Sequence, residues 1–149
     1  MTTERDKRAV RPPWHMWVVA VATFAIYFGG ARDFLRILAN DADYMVRQFG
    51  EPGVNYFADY PPVLRLIWAI NIVGGLVAPC LLLALSRWAL AAAAVAAAAQ
   101  VVLLIVTFGF RDRWDALGAA TSWFDIGIGV ATVALVGYCW VMRRRGTLR

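Results

Sequence analysis

Four long apolar runs alternate with shorter polar segments along the chain. They cover residues 14–31, 66–85, 88–110 and 123–142. A helix of about 20 residues crosses the ~30 Å hydrocarbon core of a bilayer, and none of the runs shows the strict alternation of a barrel strand. The pattern predicts an all-α membrane protein, a single domain over residues 1–149 that forms an antiparallel bundle of four transmembrane helices.

Proline, serine and glycine mark the ends of these runs. Pro61-Pro62 precedes the second helix, where a missing N–H costs little, and Ser86-Arg87 allows only a tight antiparallel connection. The segment from Ser122 to Asp125 has the pattern of a capping box that opens the fourth helix. Three arginines and then Gly146 end that helix.

The segment over residues 32–65 is the longest one outside the apolar runs. Phe34, Leu38, Met45 and Phe49 share one helical face, and Glu51-Pro52-Gly53 follows as a helix breaker. The spacing predicts an outer-face amphipathic helix that lies on the bilayer or folds over the bundle. Both a plain cover over helix ends and a binding loop are compatible with this segment.

Charge distribution predicts the orientation. An even number of spans places both termini and the 86–87 connection on one side. That side carries nine of the 15 basic residues and two of the ten acidic ones. The nine are Arg5, Lys7, Arg8, Arg11, Arg87, Arg143, Arg144, Arg145 and Arg149. By the positive-inside rule both termini are cytoplasmic, so the net charge of +5 indicates topology and not a nucleic-acid partner. A content of 61% hydrophobic and 17% charged residues also indicates a membrane protein, because soluble domains are usually less apolar and more charged.

Several short motifs resemble a bacterial family of small four-helix membrane proteins, often labelled sugar transporters by similarity. They lie between residues 24 and 100: Asp43-Tyr44-Met45-Val46-Arg47-Gln48, Tyr56-Phe57, Pro61-Pro62, Trp68-Ala69, Gly74-Gly75, Leu81-Leu82-Leu83 and Arg87-Trp88-Ala89. The third helix departs from the family, because residues 91–99 are nearly all alanine where a more polar segment is expected. The resemblance implies the bacterial inner membrane and supplies no catalytic residues.

The reactive side chains are too few for most membrane chemistry. His15 is the single histidine, so paired haem ligands and a histidine-rich metal site are excluded within this chain. Cys80 and Cys139 lie toward the cytoplasmic end, where the best interpretation is a pair of buried structural thiols. We therefore expect no enzymatic activity, no catalytic residues, no cofactor and no metal.

Three polar residues inside the apolar runs are the candidate site. Asp125 lies just inside the fourth run, Asn71 deeper in the second and Gln100 near the middle of the third, with Arg65 near the outer mouth. One interpretation is a polar path that descends from the outer face. The other is that Asp125 caps its helix while Asn71 and Gln100 bridge helices.

Small residues suggest close helix packing. Nine of the 11 residues from Ala89 to Ala99 are alanine, a surface that suits either a neighbour in the bundle or a foreign helix. Gly74-Gly75 with Pro79 predicts a kink in the second helix.

These features leave two functions open. The first is an accessory or structural protein, such as a peripheral subunit of a larger membrane complex. Its partners are lipid and either other subunits or further copies of itself. The alternative is a small-solute, sugar-like transporter or transporter component that works as an oligomer.

Overall fold

The computed structural model describes residues 12–149, and in that part of the chain every regular element is helical. These residues form five helices: α1 (Trp14–Leu38), α2 (Ala42–Ala58), α3 (Pro62–Leu83), α4 (Trp88–Phe110) and α5 (Arg113–Arg144). Of these described helices, all but α2 are long and apolar enough to cross a membrane. The prediction of an all-α protein with four helices long and apolar enough to span a membrane is confirmed. Arg5, Lys7, Arg8 and Arg11, which contribute to the predicted charge asymmetry, lie outside the described residues.

The helices extend beyond the apolar runs. α1 continues to Leu38, seven residues past the predicted boundary, and α5 begins at Arg113, well before residue 123. The capping box over residues 122–125 is therefore wrong, because Ser122 is fully buried within α5 and Asp125 lies three residues further inside the helix. The start of α5 was not predicted because its first turn is rich in charged residues, a composition that is typical of a loop.

The amphipathic segment is built differently from its prediction. The chain turns between α1 and α2, where Asn40 takes a left-handed conformation with φ of 52° and the Asp41 carboxylate accepts the Tyr44 N–H at 3.0 Å. Phe34 and Leu38 consequently belong to α1 and do not share a helix with Met45. Proline does not end α2: the helix bends at Gly50, with φ of 71°, and Pro52 lies in the first turn after the bend.

The helices pack in the order α1, α3, α4, α5, and α1 touches α5 only sparsely. The start of α1, the end of α3, the start of α4 and the end of α5 meet in one apolar cluster, at what we call the terminal end. Its fully buried members include Met16, Leu82 and Cys139. A second cluster, at the opposite or α2 end, joins α2 to α3, α4 and the first turn of α5.

Two backbone hydrogen bonds tie the last residues to the α3–α4 connection. After Gly146 the chain folds back, so that Leu148 is buried in the cluster at the terminal end. The Arg87 N–H donates to the Arg149 carbonyl at 2.8 Å, and the Arg149 N–H donates to the Leu85 carbonyl at 2.8 Å. The predicted tight connection and the stop at Gly146 both match the structure.

Small residues bring α3 and α4 close together. Gly74 faces the backbone of Ala92 and the side chain of Ala96, so that even one added methyl group would lie about 3.1 Å from both. Ala89, Ala93 and Ala96 are fully buried. One alanine face of α4 thus packs inside the bundle. α3 remains helical through Gly74, Gly75 and Pro79.

Candidate functional site

A partly enclosed cavity of about 120 Å³ lies within the bundle at its α2 end. All five helices contribute to its wall. The lining carries two carboxylates, a guanidinium and three side-chain amides, from Asp33, Asp125, Arg113, Gln48, Asn71 and Gln100. Clustered polar groups at membrane depth are uncommon, because each is costly to remove from water.

The strongest interaction in this cavity is an ion pair. Arg113 Nε donates to Asp125 Oδ2 at 2.6 Å, and the two side chains are only 12% and 19% exposed. Both residues belong to α5 and are 12 positions apart. In a straight helix that separation corresponds to roughly 18 Å along the axis, so the contact requires the helix to fold back on itself.

Gly118 supplies the bend. Its φ of 77° and ψ of 168° fall in a region that is essentially restricted to glycine. Residues 113–117 thereby form a separate first turn, and Leu117 packs into the cluster at the α2 end. The bend directs the Arg113 side chain back toward the cavity, where it meets Asp125.

A chain of hydrogen bonds crosses the floor of the cavity and connects four helices. Asn71 Nδ2 donates to the Ala96 carbonyl of α4 at 2.9 Å and to the Tyr27 hydroxyl of α1 at 3.3 Å. The Tyr27 hydroxyl is 2.7 Å from Thr132 Oγ1, which donates in turn to the Ile128 carbonyl within α5. Because Thr132 uses its proton on Ile128, Tyr27 is the donor in its bond to Thr132.

The position of Tyr27 explains why residue 75 is a glycine. A Cβ on Gly75 would overlap the Tyr27 ring, so α3 must lack a side chain there for the ring to reach Asn71 and Thr132. Tyr27 itself is only 4% exposed. The hydrogen-bonded floor therefore depends on a close approach between α1 and α3.

Gln100 forms part of the opposite wall. It is 7% exposed, and its Nε2 donates to the Asp125 backbone carbonyl at 3.4 Å. This contact links α4 to α5 beside the ion pair and leaves the carbonyl oxygen of the Gln100 side chain free for another donor.

Aromatic rings form one face of the cavity. Phe57, Tyr60 and Trp68 line it together, with ring centroids 5.7 Å apart for Phe57 and Tyr60 and 6.1 Å apart for Phe57 and Trp68. Burial raises the pKa of Tyr60 to about 12, so its hydroxyl is neutral and keeps its proton at physiological pH.

Asp33 reaches the cavity from the end of α1. Its Oδ1 accepts the Tyr44 hydroxyl at 2.5 Å, which links α1 to α2. Burial, and then the bond to Asp33, raise the pKa of Tyr44 above its usual value, so Tyr44 remains a donor. The guanidiniums of Arg32 and Arg36 lie over the Tyr44 ring, 5.4 and 5.9 Å from its centre.

Comparison with protein-family models, with curated proteins and with solved structures gives no match for this chain. The resemblance drawn from the sequence motifs accordingly stays a prediction.

Three of the four candidate residues lie together. Asn71, Gln100 and Asp125 line the same cavity, whereas Arg65 does not. Arg65 Nη2 instead donates to the Phe57 carbonyl at 3.3 Å, beside the end of α2. An arginine side chain is long enough to form a hydrogen bond with a nearby free carbonyl group. The position of Arg65 in the sequence did not indicate whether its side chain points toward the cavity or toward the end of α2.

The sequence analysis missed Arg113, Tyr27 and Asp33. Arg113 and Asp33 lie just outside the apolar runs and were assigned to loops, although a positive and a negative residue flanking an apolar run could have suggested a pair. Tyr27 lies inside the first apolar run and was not singled out. Tyr27 and Gly75 belong to different helices, and nothing in a single sequence indicates that the two residues are in contact.

The other reactive residues lie away from the cavity. His15 Nδ1 is 2.6 Å from the Tyr138 hydroxyl, so its polar tip is bonded within the protein and not simply immersed in water. Cys139 is buried as expected, but Cys80 is exposed on α3, which corrects the prediction of two buried thiols. Within the described residues no three histidine, cysteine, aspartate or glutamate side chains could hold a metal ion together.

Proposed function

We propose that this protein binds a small polar solute in the cavity at the α2 end, as a solute transporter or as a component of one that works as an oligomer. The observation that carries the proposal is the Arg113–Asp125 ion pair, which faces the cavity with Asn71 and Gln100.

An ion pair at this position is a poor way to stabilise a bundle. Removing two charges from water costs several kcal/mol per ion, and apolar residues of similar volume usually serve stability as well or better. Charged residues inside membrane-spanning segments are therefore associated with solute or ion pathways. A cavity beside the pair provides the space that such a role requires.

The size of the cavity limits the solute. A cavity of about 150 Å³ accommodates benzene, so 120 Å³ suits a molecule with about as many heavy atoms. A hexose has roughly twice that number and would require the cavity to widen. A smaller polar molecule fits better than the sugar suggested by the resemblance.

In a membrane we place both termini in the cytoplasm of a bacterium and α2 on the outer face of the inner membrane, above an antiparallel four-helix bundle. The basic residues of the terminal end that the structure describes, Arg87 and Arg143 to Arg145 among them, support this orientation. The cavity then lies in the outer half of the bilayer, beneath α2.

Gly30 and Gly29 give a matched test. A Cβ at either position meets nothing within 4 Å, but only Gly30 lines the cavity. G30L should fill the cavity without straining the backbone, whereas G29L adds the same side chain outside it. We would screen small polar solutes for an upward shift in Tm of the purified protein in lipid nanodiscs.

A solute that binds the native state at 100 times its Kd stabilises it by about 2.7 kcal/mol. We expect at least one neutral or charged solute of this size to raise the Tm of wild type and G29L, and not of G30L. An equal response of G30L and wild type would contradict binding in this cavity.

The accessory role is a second candidate, supported by a different surface. An apolar groove of about 530 Å³ runs between α3 and α4, lined by Val73, Gly74, Val77, Ala92, Val95 and Trp88 among others. Small residues at its base would allow a further helix to approach closely. Gentle solubilisation from native membranes distinguishes the roles: stoichiometric partners support an accessory subunit, and a monomer or small homo-oligomer argues against it.

A further inference from the structure

The charged groups in the cavity do not balance. Of the described residues that line it, Asp33 and Asp125 are acidic and Arg113 alone is basic. Arg113 is engaged by Asp125, which leaves the carboxylate of Asp33 uncompensated within the lining. Arg36 is bound to Asp41 at 2.7 Å, and the exposed Arg32 lies over the Tyr44 ring outside the lining.

The aromatic face provides a second attraction for positive charge. The rings of Phe57, Tyr60 and Trp68 lie on one wall of the cavity, and ring faces attract cations through their quadrupoles. Tyr60 itself is buried, with an exposed fraction of 5%.

We propose that the solute is a small organic cation, a primary or methylated ammonium ion, held between the aromatic face and the Asp33 carboxylate. This inference rests on the proposed function and names its substrate class. Tetramethylammonium has fewer heavy atoms than benzene and fits the volume of the cavity.

The alternatives are less well matched by the lining. An anion would have to compete with Asp125 for Arg113 and would meet the charge of Asp33. A neutral polyol would supply no positive charge to balance the carboxylate of Asp33 in the lining.

The test uses tetramethylammonium chloride, glycerol and sodium acetate as probes, at constant ionic strength, with the full chain in nanodiscs. Affinity is read from calorimetric titration. We expect tetramethylammonium to bind wild type, and to bind D33N and W68L at least tenfold more weakly. Two controls change the same residue types outside the cavity: D43N alters an exposed aspartate and W17L an exposed tryptophan, and both should bind as wild type does.

The outcomes separate the two proposals. Unchanged binding of tetramethylammonium to D33N and W68L overturns the cation site. Preferential binding of glycerol or acetate that G30L abolishes also overturns the cation site, but it leaves the proposed function intact. If neither these probes nor the wider solute panel binds in a way that G30L prevents, both proposals fail. Should D33N not fold, W68L alone decides.

Discussion

The Arg113 guanidinium contacts the Asp125 carboxylate at 2.6 Å although the two residues are 12 positions apart on one helix. The fold-back at Gly118 makes this possible, and it places an ion pair where the apolar pattern of the sequence would lead one to expect only lipid-facing and packing residues. The ion pair, the bend and the cavity therefore form one structural unit.

Removing one member of this pair should be strongly destabilising. R113Q or D125N leaves a charge buried without its partner, and we expect a loss of about 3–5 kcal/mol in the free energy of unfolding. The R113Q/D125N double variant should recover much of it. Denaturant unfolding in bicelles provides the four values of the cycle.

The exposed pair Arg36–Asp41 serves as the control for this cycle. Its side chains are 55% and 25% exposed, so R36Q and D41N should each cost less than about 1 kcal/mol. Asparagine at position 41 preserves the N-cap of α2. Equal losses in the two pairs would contradict the burial assigned to Arg113 and Asp125.

Replacement of Gly118 should disrupt the bend. G118A forces a side chain into a backbone conformation that only glycine adopts readily, at an expected cost of about 1–3 kcal/mol. G137A, in the regular part of α5 with open space around its Cβ, should be neutral or slightly stabilising. The comparison of their Tm values checks this, and a G118A protein as stable as G137A would argue against the fold-back.

The hydrogen-bonded floor should contribute modestly to stability. T132V removes the acceptor of Tyr27 at constant volume, and Y27F removes the hydroxyl that joins Asn71 to Thr132; each should cost about 1 kcal/mol. S122A is the contrast, because the Ser122 hydroxyl is buried without a partner among the described residues. Its removal should be neutral or stabilising, so a larger loss for S122A than for T132V would exclude this assignment.

Tyr60 predicts a dependence of stability on alkaline pH. Its pKa is raised by burial from 10.0 to about 12, so between these values the unfolded chain loses the proton while the folded protein keeps it. The contribution is fully present below pH 10 and is lost as the pH rises toward about 12. Unfolding curves across this range should fall more steeply for wild type than for Y60F, and parallel curves would contradict the raised pKa.

The length of the apolar runs was sufficient to locate the four helices that are long and apolar enough to cross a membrane, because about twenty consecutive apolar residues have few other structural solutions. Asn71, Gln100 and Asp125 were found for the converse reason, as polar residues inside those runs. The partner of Asp125 could not be found in this way. Arg113 lies between Asp112 and Asp115, and such a mixed-charge segment is typical of a loop unless the geometry of Gly118 is known.

The spacing of apolar residues also failed to predict the turn between α1 and α2. Phe34 to Phe49 has a regular helical spacing, but Asn40 and Asp41 favour a turn and a cap strongly enough to interrupt it. Local hydrogen bonding overrode the apolar pattern. The same competition explains why Pro52 begins a helical segment instead of ending one.

The two ends of the bundle are held by different kinds of bond. Among the described residues, the backbone hydrogen bonds that join segments distant in sequence are those of Arg87 and Leu85 with Arg149, both at the terminal end. In the described part of the α2 end, the hydrogen bonds between helices each involve a side chain, as in the bond from Arg65 to the Phe57 carbonyl. Any widening of the cavity is thus expected to be a rotation of the helices about a fixed pivot at the terminal end, with the largest displacement next to α2.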